Sequence, residues 1–189
     1  MGARVIDSVR RRFGRSWPLR HRPTSRRESR PAPIIQVAAA TGTGPTALAA
    51  FDAALRELGV GEANLIRLSS VIPAAAHLDS ADRITLPITW GDRLYCVYAA
   101  GHADIAGAHA AAGIGWTRRE DGAGLFVEHE ADTADEVEHL VRASLADMVR
   151  HRSGHFGPVR LRTIETRCED RPACAVVLAA FGGAGWGRL

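Results

Sequence analysis

The sequence predicts an α/β (α+β) fold: a four-layer αββα sandwich in which two stacked, mostly antiparallel sheets carry one helix on each outer face. Three observations point there. Only two segments combine apolar residues at three- and four-residue steps with helix end signals, while seven others are short and separated by Gly, Asp or Pro. At 189 residues, 46% of them hydrophobic, the chain can bury one sizeable core. Two helices cannot cover that much sheet strand by strand, so stacking two sheets face to face is the economical solution.

The elements follow in chain order. Residues 1–32 read as a disordered leader rich in arginine, serine and proline, and 33–189 as the folded domain. Residues 1–30 carry ten arginines against Asp7 and Glu28, or +8, whereas residues 31–189 carry fourteen arginines against nineteen acids, or −5. The basic character therefore belongs to the leader, and says little about what the domain binds. The leader has no apolar run for a secretory or twin-arginine signal, and a nucleic-acid-binding arm would usually interleave aromatics or fold on contact. No stretch is long enough to span a membrane. Cys96, Cys168 and Cys174 are too few and too irregular for a disulfide framework or a zinc site, and fit a reducing cytoplasm.

Ile34 to Ala40 reads as a buried strand entering Thr41-Gly42-Thr43-Gly44. Thr43 or Gly44 is expected to cap a helix that takes Pro45 in its first turn, carries Leu48, Phe51, Leu55 and Leu58 as its stripe, and stops at Gly59. Strands are expected at 64–68, 83–88, 93–100, 108–118, 124–129, 158–167 and 173–181. The alanine-rich stretch Ala99–Ala112 reads as a helical turn or strand edge with closely packed small side chains. A second helix opens on the capping box Thr133 to Glu136, with Val137, Leu140, Val141, Leu145 and Met148 on one face and Arg150 near its end. Trp90, Trp116 and Trp186 are expected in the core or at subunit contacts. Thr41-Gly42-Thr43-Gly44 lacks the Lys-Ser/Thr of a phosphate loop, and His151 with His155 lacks the glutamate of a zinc protease motif, so neither is assigned chemistry.

The chain contains no lysine: all 24 basic residues are arginine. An enzyme that needs a carbonyl to condense with an amine cannot store pyridoxal phosphate here as a lysine Schiff base. A carbonyl made from the backbone, by cleavage at a serine, remains open. The pair Ser69-Ser70 in Asn64-Leu65-Ile66-Arg67-Leu68-Ser69-Ser70-Val71-Ile72-Pro73 is the place for it. Attack of the Ser70 hydroxyl on the Ser69 carbonyl shifts the acyl group from nitrogen to oxygen. β-Elimination of the ester then leaves dehydroalanine, which hydrolyses to a pyruvoyl group and ammonia.

Thr43-Gly44-Pro45-Thr46, Ala50-Phe51-Asp52-Ala53-Ala54-Leu55, Gly59-Val60-Gly61, the Asn64 to Pro73 segment and Gly124-Leu125-Phe126-Val127-Glu128 together resemble the pyruvoyl-dependent arginine decarboxylases, over most of residues 33–181. The resemblance implies decarboxylation of arginine to agmatine by a cyclic trimer with active sites at subunit contacts. It implies a β chain of residues 1–69 and an α chain of 70–189 headed by the pyruvoyl group from Ser70. By analogy with the family, Asn64 is the donor to the oxyanion of the acyl shift. Glu128, at the end of an apolar run expected to raise its pKa, is the candidate for protonating the substrate α-carbon. Asp52 suits a guanidinium, which a bidentate anion holds best, and the family match assigns that position to substrate recognition. Ser69 as a new carboxyl terminus and the Gly61 to Ala63 backbone are expected to line the same pocket. No metal is expected. The likeness departs after Pro73, where Ala74-Ala75-Ala76 replaces a second proline and a glycine, so the turn beyond the cleavage site is expected to differ. The same chemistry on ornithine or histidine, and a non-catalytic paralogue that binds ligands or partners, are the competing readings; Asp52 favours a cationic side chain without separating arginine from ornithine.

Overall fold

Strand β1 (Ile34–Thr43) is the first element among the residues, 32–186, that a computed structural model describes. Apart from Ala32, the leader expected at 1–32 lies outside the described residues. Ile35 and Val37 face one way and Ala38 the other, all fully buried, because β1 is covered on both faces. Helix α1 (Ala47–Leu58) follows. Its N-cap is Thr46, whose Oγ accepts from Ala49 N–H, and not the expected Thr43 or Gly44: β1 runs on through Thr43, so Pro45 falls before the cap. Gly59, at φ +83, ends the helix in the left-handed conformation that glycine adopts without penalty. The helix lies directly on the strand at Gly42, where a Cβ would sit 2.3 Å from Ala54 N and 2.4 Å from Ala50 O. Leu48 is 76% exposed and does not join the buried stripe of Ala50, Ala54, Leu55 and Leu58.

After α1 come β2 (Asn64–Arg67), β3 (Val71–Ile72), β4 (His77–Ser80), β5 (Arg93–Ala103), β6 (His109–Arg118), β7 (Gly124–Ala131), α2 (Ala134–Arg150), β8 (Arg160–Arg167) and β9 (Ala173–Ala184). They form a five-stranded sheet in the order β2-β5-β9-β1-β4 and a four-stranded sheet in the order β3-β7-β6-β8. Only the edge pairs β1/β4 and β2/β5 are parallel; β1/β9, β5/β9, β3/β7, β6/β7 and β6/β8 are antiparallel. The four-layer αββα arrangement is as the sequence predicts. Between the sheets, Ile35, Ile72, Val97, Ile114, Phe126 and Val177 make the central core, each fully buried and each stabilising the fold by roughly 1.5–3 kcal/mol. Helix α1 closes the far face of the first sheet over Cys96, Val176 and Leu178. Val137, Val141 and Leu145 of α2 close the second over Ala111, Leu125 and Val127. Thr133 caps α2 as expected, its Oγ1 accepting from Glu136 N–H at 3.3 Å.

Two expectations need correction, and two strands were not expected. Residues 83–88 form no strand: Pro87 has no N–H to give a ladder. The segment is instead pinned by side chains, with Thr85 N–H on Gln36 Oε1 at 2.9 Å and Gln36 Nε2 on Thr85 Oγ1 at 2.9 Å. Ile84 tucks under α1, donating its N–H to Leu58 O. The alanine-rich stretch is neither a helical turn nor a strand edge; it is the end of β5, an exposed connection at 104–107 and the start of β6, with Ala99, Ala103, Ala110, Ala111 and Ala112 buried. Finally, β3 and β4 are real strands too short for a sequence pattern. Of the tryptophans, Trp116 is in the core, whereas Trp90 and Trp186 are 84% and 68% exposed. Cys96, Cys168 and Cys174 are buried free thiols, and no helix among the described residues is long and apolar enough to cross a membrane.

Candidate active site

The chain passes from one sheet to the other through only Leu68, Ser69 and Ser70, between β2, an edge of the first sheet, and β3, an edge of the second. Both sides of the serine pair are fastened. Upstream, Leu68 N–H donates to Cys96 O at 2.9 Å, extending the β2/β5 ladder. Downstream, Phe126 N–H donates to Ser70 O at 2.8 Å, next to the pairs Val71/Leu125 and Ile72/Gly124. Held in this way, Ser70 takes φ +65, the single non-glycine residue with positive φ among those described. That conformation costs a side-chain-bearing residue roughly 1–2 kcal/mol.

Glu128 is brought to Ser70 by strand alternation. Phe126 of β7 points into the central core, and Glu128, two residues on, points to the same side where the sheets part. The Ser70 hydroxyl donates to its carboxylate, with Oγ 2.7 Å from Oε1 and 2.9 Å from Oε2. Burial raises the Glu128 pKa; the Ser70 hydrogen bond, the Arg67 guanidinium and His129 oppose that rise without cancelling it. Arg67 is held in place by its own contacts: Nη2 donates to Tyr98 O at 2.8 Å, and the guanidinium lies 4.8 Å from the Tyr98 ring centroid. His129, on the opposite face of β7, meets Ser144 Oγ at 2.8 Å.

The remaining predicted residues lie elsewhere. Asn64, at the start of β2, gives its Nδ2 to Gly91 O at 2.7 Å, and its backbone N–H to Asp92 O at 2.7 Å. Six residues of extended chain separate Asn64 from Ser70, up to about 20 Å. Gly61 and Ala63 form the turn just before Asn64, closed by Ala63 N–H on Val60 O. The Asp52 carboxylate is exposed on α1 and pairs with Arg56 one turn on, at 3.0 Å. One chain therefore joins Ser69, Ser70 and Glu128 at one end of β2, and Gly61, Ala63 and Asn64 at the other. Three participants were not singled out in the sequence. Phe126 N–H and Gly91 O are backbone groups without a sequence signature, whereas Arg67 stands in plain view three residues before Ser70. Beyond Pro73, the chain turns at once, with Ala76 N–H on Pro73 O at 3.0 Å and Arg118 Nη2 on Ala76 O at 2.6 Å.

The residues present fit a carbonyl group made in place: a strained serine, a carboxylate on its hydroxyl and a donor on its carbonyl oxygen. Among the described residues, no cluster of three His, Cys, Asp or Glu side chains could hold a metal ion. The family profile of the pyruvoyl-dependent arginine decarboxylases matches residues 34–184. A pyruvoyl-dependent arginine decarboxylase of Thermococcus kodakarensis is 37% identical over 149 residues, 77% of this chain and 92% of that protein. One of Halobacterium salinarum is 37% identical over 153 residues, 79% of this chain and 94% of its own length. That of Methanopyrus kandleri is 33% identical over 145 residues, 76% and 92% of the two chains. With nearly the whole described domain matched, this chain belongs to the pyruvoyl-dependent arginine decarboxylase family.

Proposed function

We propose that this protein cleaves itself between Ser69 and Ser70 and, once cleaved, decarboxylates L-arginine to agmatine and carbon dioxide. The observation that carries the reading is Ser70 itself, left-handed at φ +65 with its hydroxyl on both oxygens of Glu128. Glu128 takes the hydroxyl proton as Oγ attacks the Ser69 carbonyl carbon; the C–N bond breaks and an ester forms. Phe126 N–H, on Ser70 O, stabilises negative charge on that oxygen when the Ser70 Cα proton is removed, and the Cβ–Oγ bond then breaks. Ser69 leaves as a carboxylate carrying the former Oγ. The dehydroalanine takes up one water and releases one ammonia, which leaves residues 1–69 as the β chain and 70–189 as the α chain.

The pyruvoyl group supplies the ketone and electron sink that a lysine-bound cofactor would otherwise provide. The remaining roles belong to ordinary side chains. Glu128, with its pKa raised by burial, keeps a proton available for the substrate α-carbon. Asp52 exchanges its exposed partner Arg56, a pairing worth only about 0.5 kcal/mol, for the substrate guanidinium. Because Asn64, Gly61 and Ala63 stand at the far end of β2 from Ser70, one protomer does not surround a substrate. A second copy presents that end to the first, and rotation closes the set as a trimer. Exposed Leu48, Ile66, Val71 and Trp90 fit surfaces covered in such an assembly.

Intact mass measurement tests the reading: two species split between Ser69 and Ser70 are expected, the larger blocked to Edman degradation, and a single chain from Ser70→Ala. An uncut wild-type chain ends it. Turnover on a panel of amino acids separates arginine from ornithine and histidine.

A further inference from the structure

We propose that Trp186, just beyond β9, is a positioning residue for Asn64, acting through the carbonyl of Gly91. The inference rests on the reading above, in which Asn64 serves a site completed between copies.

Gly91 O accepts two hydrogen bonds at once, from Asn64 Nδ2 at 2.7 Å and from Trp186 Nε1 at 2.8 Å. A carbonyl has two lone pairs, so both directions are filled. Gly91 sits at φ +82 in a turn with little freedom. Asp92 N–H reaches Thr89 O at 3.0 Å, Thr89 N–H reaches Asp92 Oδ2 at 2.9 Å, and Gly91 N–H reaches Glu62 O at 2.8 Å. The chain end is fastened to this turn a second time. Arg93 Nη2 donates to Gly185 O at 2.6 Å, and its guanidinium carbon lies 4.6 Å from the centroid of the Trp186 ring. Arg93 Nε is buried with no partner, so the stacked indole and the Gly185 carbonyl are what orient this guanidinium.

Burial does not account for a tryptophan here, since Trp186 is 68% exposed. Its indole N–H does. By occupying one lone pair of Gly91 O and fixing the turn, it leaves a single direction for Asn64. The Asn64 amide is then set one way round, because turning it over would bring Oδ1 against a carbonyl oxygen. Oδ1 and the second Nδ2 proton are left facing outward, available to the reacting groups of a neighbouring copy. The sequence separates these residues by 122 positions; the antiparallel pairing of β9 with β5 and the parallel pairing of β5 with β2 bring them together.

Trp186→Phe keeps an aromatic ring to lie over Arg93 and removes the N–H with the smaller ring that carries it. In the full chain, self-cleavage is expected to slow by roughly three- to tenfold, the loss of one hydrogen bond, with the melting temperature lowered by no more than about 2–4 °C. On an Asn64→Ala background the same substitution should cost nothing further, which a merely structural role would not produce. An equal loss on both backgrounds, or no loss on either, overturns the proposal. The Asn64 side-chain amide resonances in 15N-labelled protein give a readout independent of chemistry. They should shift in Trp186→Phe, and unmoved resonances overturn the latch even if the wild-type chain neither cleaves nor turns over arginine, an outcome that would refute the proposed function instead.

Discussion

Replacing Glu128 with glutamine should separate two jobs that we assign to one carboxyl. In self-cleavage it accepts the Ser70 proton; in turnover it gives a proton to the substrate α-carbon. Glutamine preserves the first geometry in part, since Oε1 still accepts from a hydroxyl that lies 2.7 Å from the carboxylate. It preserves nothing of the second, because an amide is no acid. The amide orients the hydroxyl without taking its proton, so cleavage is expected to continue, but more slowly, while kcat falls by about 10²–10⁴, the usual worth of a positioned general acid; that is roughly 3–5 kcal/mol at 1.36 kcal/mol per decade. The two jobs also run oppositely with pH. Burial, the largest influence, raises the Glu128 pKa, so its proton is kept to higher pH than on a free glutamate. Turnover through the acid form is full below that pKa and is lost as pH rises through it. Cleavage through the carboxylate is slow below it and quickens above. Maturation sharpens the contrast, because the Ser70 hydrogen bond that pulls the pKa down disappears with the hydroxyl. A gel time course of precursor loss and agmatine release from fully cleaved enzyme, each across pH, read the two limbs separately. Turnover in Glu128→Gln within threefold of wild type, or limbs of the same sign, would refute the reasoning.

Ser70→Gly and Ser70→Ala should both stay whole, but the glycine variant should melt higher. Alanine bears about 1 kcal/mol of left-handed strain that glycine does not, worth 2–4 °C in a domain of this size, and equal melting points would contradict the strain at φ +65. Asp52→Asn should raise KM for arginine roughly 10–100-fold with little change in kcat, by removing a charged bidentate acceptor, and should leave the melting temperature alone because its pairing with Arg56 is exposed. Gly42→Val should lower stability by about 3 kcal/mol or more in a denaturant titration, since its Cβ would fall 2.3 Å from Ala54 N, where backbone and not side chain must yield.

The layered architecture was legible in the sequence because the helices and long strands carry their own signals. Thr133 with Glu136 marks one helix start, Gly59 marks a helix end, and the Ala175-Val176-Val177-Leu178 run marks a strand covered on both faces. The helix cap at Thr46 was displaced because β1 pairs with β9 as far as Thr43, and tertiary pairing outranks local capping preference. Segment 83–88 alternates like a strand, yet its polar groups are met by Gln36 across 49 residues, which no local window contains. Around the site, chemistry-bearing side chains were visible as a motif, but their partners were not. Phe126 contributes through its N–H, Gly91 through its carbonyl, and Ser70 through a torsion angle. None of these depends on residue type in a way that a single sequence displays.

Where the cut falls also explains why a protein cleaved inside its domain should remain folded. The first sheet runs β2-β5-β9-β1-β4, so a cut between Ser69 and Ser70 would leave β2 and β1 on one chain and β5, β9 and β4 on the other. The two chains alternate in one sheet. β1 lies between β9 and β4 with eight registered pairs to β9 alone, from Gln36/Ala180 to Thr43/Ala173. Pulling the chains apart would break both ladders, uncover the α1 face over Val176 and Leu178 and expose Ile35 and Val37 in the central core. The connection that is lost, by contrast, is three residues long, and each new end is already tied to its own sheet, Leu68 by Cys96 O and the former Ser70 by Phe126 N–H. Strain in the left-handed Ser70 is released by the same step. Cleavage there would remove a constrained link at the seam between the sheets and leave the packing on either side intact. The cleaved chains should co-purify through every step short of denaturant; separation in native buffer would show that the alternation of strands does not hold them.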